Sequence, residues 1–388
     1  MNEKQLTLEE KWKLDIESYK QSGGMSVTVP QCRSCQYWIK TDVFHCNQYS
    51  KLKKPSYIFS AQKECTKYKN NDEIIISSSS DFERRVKGGL WGAIVGDSLG
   101  VPLEFSDRLS RRKDPVKEMR AHGTYNQPFG TWSDDSSMML CLIETINEGF
   151  SLDLLAEKFV KFASEGYMTP HDKVFDIGNA VMKAINNIRN GISPAECGGT
   201  SEYDNGNGSL MRILPLAFYL KDKSDIKMIE CVSSVTHKHP VSVFACVFYI
   251  QMAIGLINGA DKQTAYQSAI EYIKTGTENK YENVYSVYER VIDGKISKYR
   301  EDTIKSSGYV VDTLEAALWC FLNTKSYSEC IFKAINLGGD TDTIACIAGG
   351  LAGIYYGIEN INNNWIQVLA KKKEINLIID SFYQKIST

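Results

Sequence analysis

Two stretches of the chain place the same residue types in nearly the same order. "GTWSDDSSMML", residues 130–140, sets Ser133, Asp134 and Asp135 before an apolar run, and "LGGDTDTIACIAGG", residues 337–350, sets Asp340, Asp342 and Thr343 before another. One Asp, Ser or Thr in front of a helix needs no function, because its oxygen accepts a bond from an unpaired first-turn N–H. Capping accounts for one carboxylate at each place and leaves the second unexplained. Carboxylates gathered together repel one another, so they either take up protons or hold a cation. A donor set of oxygen alone, without histidine or cysteine, suits a hard divalent ion such as Mg²⁺, Mn²⁺ or Ca²⁺ rather than zinc.

Three further segments carry residues of the same interest. "GGLWGAIVGDSLGVPLEF", residues 88–105, holds Asp97 on a run of small residues and then Glu104 between Leu103 and Phe105. A carboxylate in such company is poorly explained as a solvated charge; a buried ion pair is the competing reading. "NGNGSLMRILPLAF", residues 205–218, has Gly206, Gly208 and Ser209 ahead of an apolar run. It reads either as a plain turn or as a loop offering N–H groups and a helix N-terminus to a phosphate. "THKHP", residues 236–240, gathers two of only five histidines.

The elements that must position these groups are helices. Apolar periodicity predicts them near 82–99, 136–149, 151–164, 174–190, 209–220, 225–235, 241–258, 262–274, 310–323, 327–336 and 343–357. No run of alternating strands interrupts them, so the expected fold is an all-α domain of about ten or more helices with chemistry at the helix starts. The run 343–357 is small on nearly every face; glycine costs about 1 kcal/mol against alanine in a helix interior, which close packing against neighbouring helices would offset. That predicts a buried post with an acidic mouth.

With 43% hydrophobic and 24% charged residues, the 388-residue chain has material for a sizeable core. A net charge of −2 gives no global attraction to nucleic acid or anionic membranes. The N-terminus lacks a signal-peptide core, and the apolar run 344–358 is shorter than the roughly 20 residues of a spanning helix. A cytoplasmic location and no membrane contact are expected. Four of eleven cysteines, Cys32, Cys35, Cys46 and Cys65, form a C-x2-C-x10-C-x18-C series that reads as a structural zinc site, with His45 able to substitute. The expected organisation is an extension at 1–30, a Cys-rich module at 31–70, a serine-rich linker at 71–81 and the helical domain at 82–388. Residues 31–70 hold eight basic and two acidic residues among tyrosines and a tryptophan. They present either a solvated basic face or a nucleic-acid contact.

In their order, "GAIVGDSLGVPLEF", "GTWSDDSSMML", "GNGSLMRILPLAF", "THKHP", "GYVVDTLEAALW" and "LGGDTDTIACIAGGLAGIYYG" resemble the ADP-ribosylglycohydrolase family over residues 82 to 370. The resemblance implies a compact helical fold and a binuclear magnesium or manganese centre in a cleft for ADP-ribose. It assigns Ser133, Asp134, Asp135, Asp340, Asp342 and Thr343 as metal ligands, Ser133 standing where the family usually has threonine. Glu104 and Asp135 take the catalytic roles. Asn207, Gly208 and Ser209 lie beside the diphosphate, His237 matches the histidine of the T-H motif, Tyr309 lines the ribose or adenine side, and His239 has no counterpart. The implied activity is hydrolysis of the N- or O-glycosidic bond that joins ADP-ribose to a modified side chain, by a monomer. A non-catalytic ADP-ribose-binding or structural protein and a hydrolase of a free ADP-ribosyl metabolite are the alternatives.

Overall fold

Helix starts follow the capping residues of the sequence. Ser80 accepts from the Glu83 amide to open α1 (Asp81–Gly100), and Asp107 opens α2 (Arg108–Lys113). Ser133 opens α3 (Asp134–Glu148) and Ser151 opens α4 (Leu152–Glu165). Then come α5 (Asn179–Arg189), α6 (Pro215–Tyr219) and α7 (Ile226–Ser234). His239 caps α8 (Pro240–Ile257) and Asp261 caps α9 (Lys262–Glu271). The chain ends with α10 (Glu289–Ile292), α11 (Val310–Leu322), α12 (Tyr327–Asn336), α13 (Thr341–Tyr356), α14 (Asn363–Val368) and α15 (Lys372–Ser387).

This computed structural model describes residues 74–387, except 222–224 and 278–279, together with the backbone of 38–39 and 42–46. The chain divides into two units, Met1–Glu73 and Ile74–Thr388. In the first, Trp38–Ile39 (β1) pairs antiparallel with Asp42–Cys46 (β2). Aromatic and β-branched residues suit that pairing, and the all-α expectation did not include it. The zinc reading of Cys32, Cys35, Cys46 and Cys65 falls on side chains outside the described residues, as does the basic-face reading of 31–70.

From Ile74 onward the expected all-helical architecture is present. The antiparallel pair α1 and α13 forms its centre, with α12, α11 and α8 packed against α13. Gly88, Gly92, Gly96 and Gly100 recur at every fourth residue, so they share one face of α1. A methyl on Gly88, Gly92 or Gly96 would lie 2.2, 2.5 or 2.2 Å from the carbonyl oxygens of Gly353, Gly349 and Ala345, and one on Gly100 2.3 Å from the Asp342 Cα. Only bare backbone admits this approach, and it brings the C-terminal end of α1 to the N-terminal end of α13. Tyr327 donates to the Gly92 carbonyl at 2.7 Å and Tyr249 to that of Ile347 at 3.0 Å, bracing the pair from α12 and α8. α8 is long and apolar enough to cross a membrane, yet 78% of it is buried within the fold, as befits a core helix.

Three expectations shift. The helix predicted from 174 starts at Asn179, leaving 174–178 as an irregular segment. The one predicted over 209–220 shrinks to α6, because Pro215 starts it and cannot lie inside a longer helix. The serine-rich stretch is held from Ile74: Gln367 accepts from the Ile74 amide at 3.1 Å and donates to its carbonyl at 2.8 Å, and Lys87 donates to the Ser77 carbonyl at 2.7 Å.

Candidate metal centre and ligand cleft

The acidic residues meet where α1 ends and α3 and α13 begin. Asp97, fully buried on α1, shares the capping of α3 with the Ser133 hydroxyl, which accepts from the Asp135 amide at 3.2 Å. The Ser133 amide donates to both of its oxygens at 3.0 Å, and Ser136 donates from its amide at 3.1 Å and its hydroxyl at 2.5 Å. Asp134 and Asp135 are thereby released from that work. Asp340, although it precedes α13, makes no capping bond with its side chain; its carboxylate accepts instead from the Asn207 amide at 2.8 Å. Capping alone therefore does not explain the acidic residues at either helix.

Two carboxylate trios result. Oxygens of Asp97, Asp135 and Asp342 lie within 4.8 Å of one another, and so do oxygens of Glu104, Asp176 and Asp342. Asp342 belongs to both. Asp135 accepts from the Ser133 hydroxyl at 2.8 Å and the Thr343 hydroxyl at 3.3 Å. Glu104 Oε2, Asp135 Oδ1 and Asp340 Oδ1 are buried without a partner. Among the described residues none of these carboxylates is ion-paired; pairs such as Lys87–Glu83 and Arg290–Glu315 form elsewhere.

The electrostatics follow from that crowding. Burial, then the charges of Glu104, Asp135 and Asp340, push the Asp342 carboxyl well above its usual range. Burial, then Asp97 and Asp134, act likewise on Asp135, and burial, then Asp176, on Asp134. Glu104 is pushed up to about 8 by burial and by Asp176 and Asp340, and Asp97 to about 6 by burial against the bonds from Ser136 and Ser133. Unpartnered buried oxygens and close carboxylates, none of them ion-paired among the described residues, fit a hard divalent ion at each trio.

Sequence reasoning missed Asp176 and Tyr125. The Tyr125 hydroxyl lies beside both Glu104 and Asp176, where it works against the rise of their carboxyls, and its ring lies 5.2 Å from that of Phe175. The signal for Asp176 was the one that marked Glu104, a lone acid between apolar residues in "VFDIG". Asp134 and Asp340 join neither trio, though both are buried beside them.

The loop at 205–209 forms the adjoining wall. Asn207 donates to Thr313 at 3.0 Å as well as to Asp340, and Gly206 pairs through its backbone with Tyr309, which is 38% exposed and so sits at the rim. Gly208 leaves no room for a methyl, which would lie 2.9 Å from the His237 ring. His237 is buried beneath the loop, its Nδ1 2.8 Å from the Thr236 hydroxyl, and burial, then Arg212, pushes it down to about 3. Ser209 is fully buried, its hydroxyl meeting Cys246 Sγ at 3.4 Å. Both side chains therefore support the loop from behind. His239 caps α8. Arg212, another residue the sequence did not mark, lies fully buried and donates to the Gly208 and Val232 carbonyls.

A helical fold whose central helix pair brings paired carboxylates together defines a class of acidic centres carried on helix termini, with a donor set that could hold a metal ion. The profile of the ADP-ribosylglycohydrolase family matches residues 78–388, and the chain belongs to that family. It is 33% identical to the ADP-ribosylarginine hydrolase Tri1 of Pseudomonas putida (strain GB-1), over 78% of each chain. To the protein of the same name from Serratia proteamaculans (strain 568) it is 32% identical, over 87% of this chain and 89% of the relative. The ADP-ribosyl-[dinitrogen reductase] glycohydrolase of Rhodospirillum rubrum is 28% identical over 75% of this chain and 92% of its own length. A solved structure, an ADP-ribosylglycohydrolase-related protein complex, superposes with a TM-score of 0.68 at 26% identity, covering 79% of this chain and 99% of that one.

Proposed function

We propose that the protein hydrolyses the glycosidic bond between ADP-ribose and a modified side chain, with arginine as the acceptor, using two Mg²⁺ or Mn²⁺ ions. The observation that carries this reading is the pair of carboxylate trios sharing Asp342, with buried oxygens left unpartnered. Ser133, Asp134, Asp135, Asp340, Asp342 and Thr343 would hold the ions, joined by Asp97 and Asp176. Such ions supply Lewis acidity toward the ribose hydroxyls and water. Arginine as acceptor is supported by the activity named for the Pseudomonas and Serratia relatives.

Asn207, with the backbone of Gly208 and Ser209, borders the diphosphate, and Tyr309 borders the ribose or adenine. Glu104 carries the proton transfer: its Oε2 is free of hydrogen bonds, and the Tyr125 hydroxyl stands beside its carboxyl group. It takes the proton of the attacking water as the ribose–nitrogen bond breaks in an oxocarbenium-like transition state. The guanidino group, protonated in the substrate, takes the bonding electron pair, leaves as neutral guanidine and regains a proton from solvent.

Incubation of the full chain with Mg²⁺ or Mn²⁺ and arginine-, serine- and other-linked ADP-ribosylated substrates, followed by quantification of free ADP-ribose, tests the reading. Release from the arginine linkage, abolished by EDTA, is the expected outcome. Binding of ADP-ribose without release from any linkage would make the protein a non-catalytic binder. Turnover of free ADP-ribosyl metabolites alone would move it to a different substrate class.

A further inference from the structure

Residues 103–106 form a turn closed by the Ser106 amide donating to the Leu103 carbonyl at 3.0 Å. Glu104 takes φ −52° and ψ 142°, and Phe105 takes φ +61°. These are the angles of a type II turn, whose third position calls for glycine or asparagine because a side chain there meets its own backbone. Phenylalanine occupies it instead. The Phe105 amide donates to the Gly339 carbonyl at 2.7 Å, one residue ahead of Asp340, and the Thr124 hydroxyl donates to the Glu104 carbonyl at 2.6 Å. Held on both sides, the turn drives the Glu104 side chain inward and leaves Phe105 70% exposed.

Neither folding nor packing accounts for that residue. The backbone angle disfavours it, its ring buries little, and glycine would satisfy the turn with less strain. What the position does supply is geometry. Phe105 adjoins the carboxylate assigned to the reacting bond, on the solvent side of it. On the hydrolase reading ADP-ribose lies inward of Glu104, which leaves the acceptor outside, at that rim.

We propose that Phe105 is the residue that recognises the acceptor, its ring lying against the planar guanidinium of the modified arginine. An aromatic face attracts such a cation, and more strongly where water is partly excluded. The inference rests on the hydrolase reading above and deepens it by naming the residue that selects the linkage. An acceptor with a small neutral oxygen linkage offers the ring no cation.

The test uses the full chain with its divalent ion, ADP-ribosylarginine and a serine-linked ADP-ribosyl peptide as substrates, and the variants Phe105→Gly, Phe105→Leu and Phe105→Trp. The glycine variant should melt at a higher temperature than wild type, because the turn is relieved. Its kcat/KM on ADP-ribosylarginine should fall by about tenfold, the size of a partly desolvated cation–π contact. Leucine, apolar but without a π face, should lose activity similarly, and tryptophan should retain it. The dissociation constant for free ADP-ribose should stay within about twofold in all three, since the contact lies on the acceptor side. If the glycine and leucine variants keep wild-type kcat/KM, or lose ADP-ribose affinity in step with activity, the inference fails while the hydrolase reading stands. A wild type that cleaves the serine linkage and not the arginine one also overturns it. A wild type that releases ADP-ribose from no linkage overturns both, and that result is read before any variant is made.

Discussion

The inner trio, Asp97, Asp135 and Asp342, and the outer trio, Glu104, Asp176 and Asp342, share one carboxylate but are held by different groups. In the inner one Asp97 receives two backbone amides and a hydroxyl from the first turn of α3, and Asp135 receives two more hydroxyls. In the outer one the Tyr125 hydroxyl stands beside Glu104 and Asp176, the Asp342 carboxyl beside Glu104 and the Ile177 amide beside Asp176, and Glu104 keeps an unpartnered oxygen. Asp97 is saturated by fixed donors and held rigidly, whereas Asp135 Oδ1 and Glu104 Oε2, one in each trio, keep no partner. Folding itself therefore fixes Asp97, and the unpartnered oxygens are left to act on what arrives.

The largest effect should come from the shared residue. Asp342→Ala removes a ligand from both trios, so turnover should drop by more than about 10³-fold, and added Mg²⁺ or Mn²⁺ should no longer raise the melting temperature. In EDTA the variant should melt at or above the wild-type temperature, because carboxylate repulsion is relieved. Parallel melting curves with and without the ion check this; a variant equally destabilised in both would make Asp342 a structural cap.

Glu104→Gln should act on chemistry alone. A loss of about 10² to 10⁴ in kcat is expected of a missing general acid–base, with ADP-ribose affinity nearly unchanged. Single-turnover release beside calorimetric binding separates the two quantities. Equal losses in both would make Glu104 a ligand-holding residue and erase the distinction between the trios.

Asp97→Ala should do the opposite of Asp342→Ala in the ion-free protein. It leaves buried amides at the start of α3 without an acceptor, at about 1–3 kcal/mol for each unmet group. Urea unfolding in EDTA should show a lower midpoint than wild type. An unchanged midpoint would mean that Asp97 serves the cation and not the helix.

The smallest effect concerns pH. Glu104 and Asp97 are both raised, to about 8 and about 6, so in those windows the native state binds more protons than the unfolded one. Stability without the ion must then fall as pH rises from near the ordinary carboxyl values through 6 and on to 8. The slope should be at least on the order of 1 kcal/mol per pH unit, the limit for one proton, because Asp134, Asp135 and Asp342 are raised as well. Unfolding in EDTA at pH 5, 6, 7 and 8 measures it. Saturating divalent ion should flatten the slope, and Glu104→Gln should make it shallower, most of all above pH 6, beyond the Asp97 part.

Much of this was legible residue by residue. Glu104 between apolar neighbours, the paired carboxylates ahead of α3 and α13, and the glycines of α1 are local statements about desolvation, repulsion and size, which composition and spacing express directly. Some was legible and overlooked: Ile375, Ile378, Ile379 and Phe382 sit at helical spacing on α15, all buried. Other features belong to no local pattern. Nothing near Asp97 in the chain says that it caps a helix beginning 37 residues later, nor near Arg212 that it is buried beneath the ligand loop. Asp176 and Tyr125, 51 residues apart, meet only because separate loops converge on Glu104. Residue types and their spacing determined which groups had to be kept from water and which helices could approach to backbone contact. Which carboxylate faces which was decided by the crossing of α1 and α13, because a trio forms only where chain segments remote in sequence are held within a few ångströms, and close packing alone supplies that.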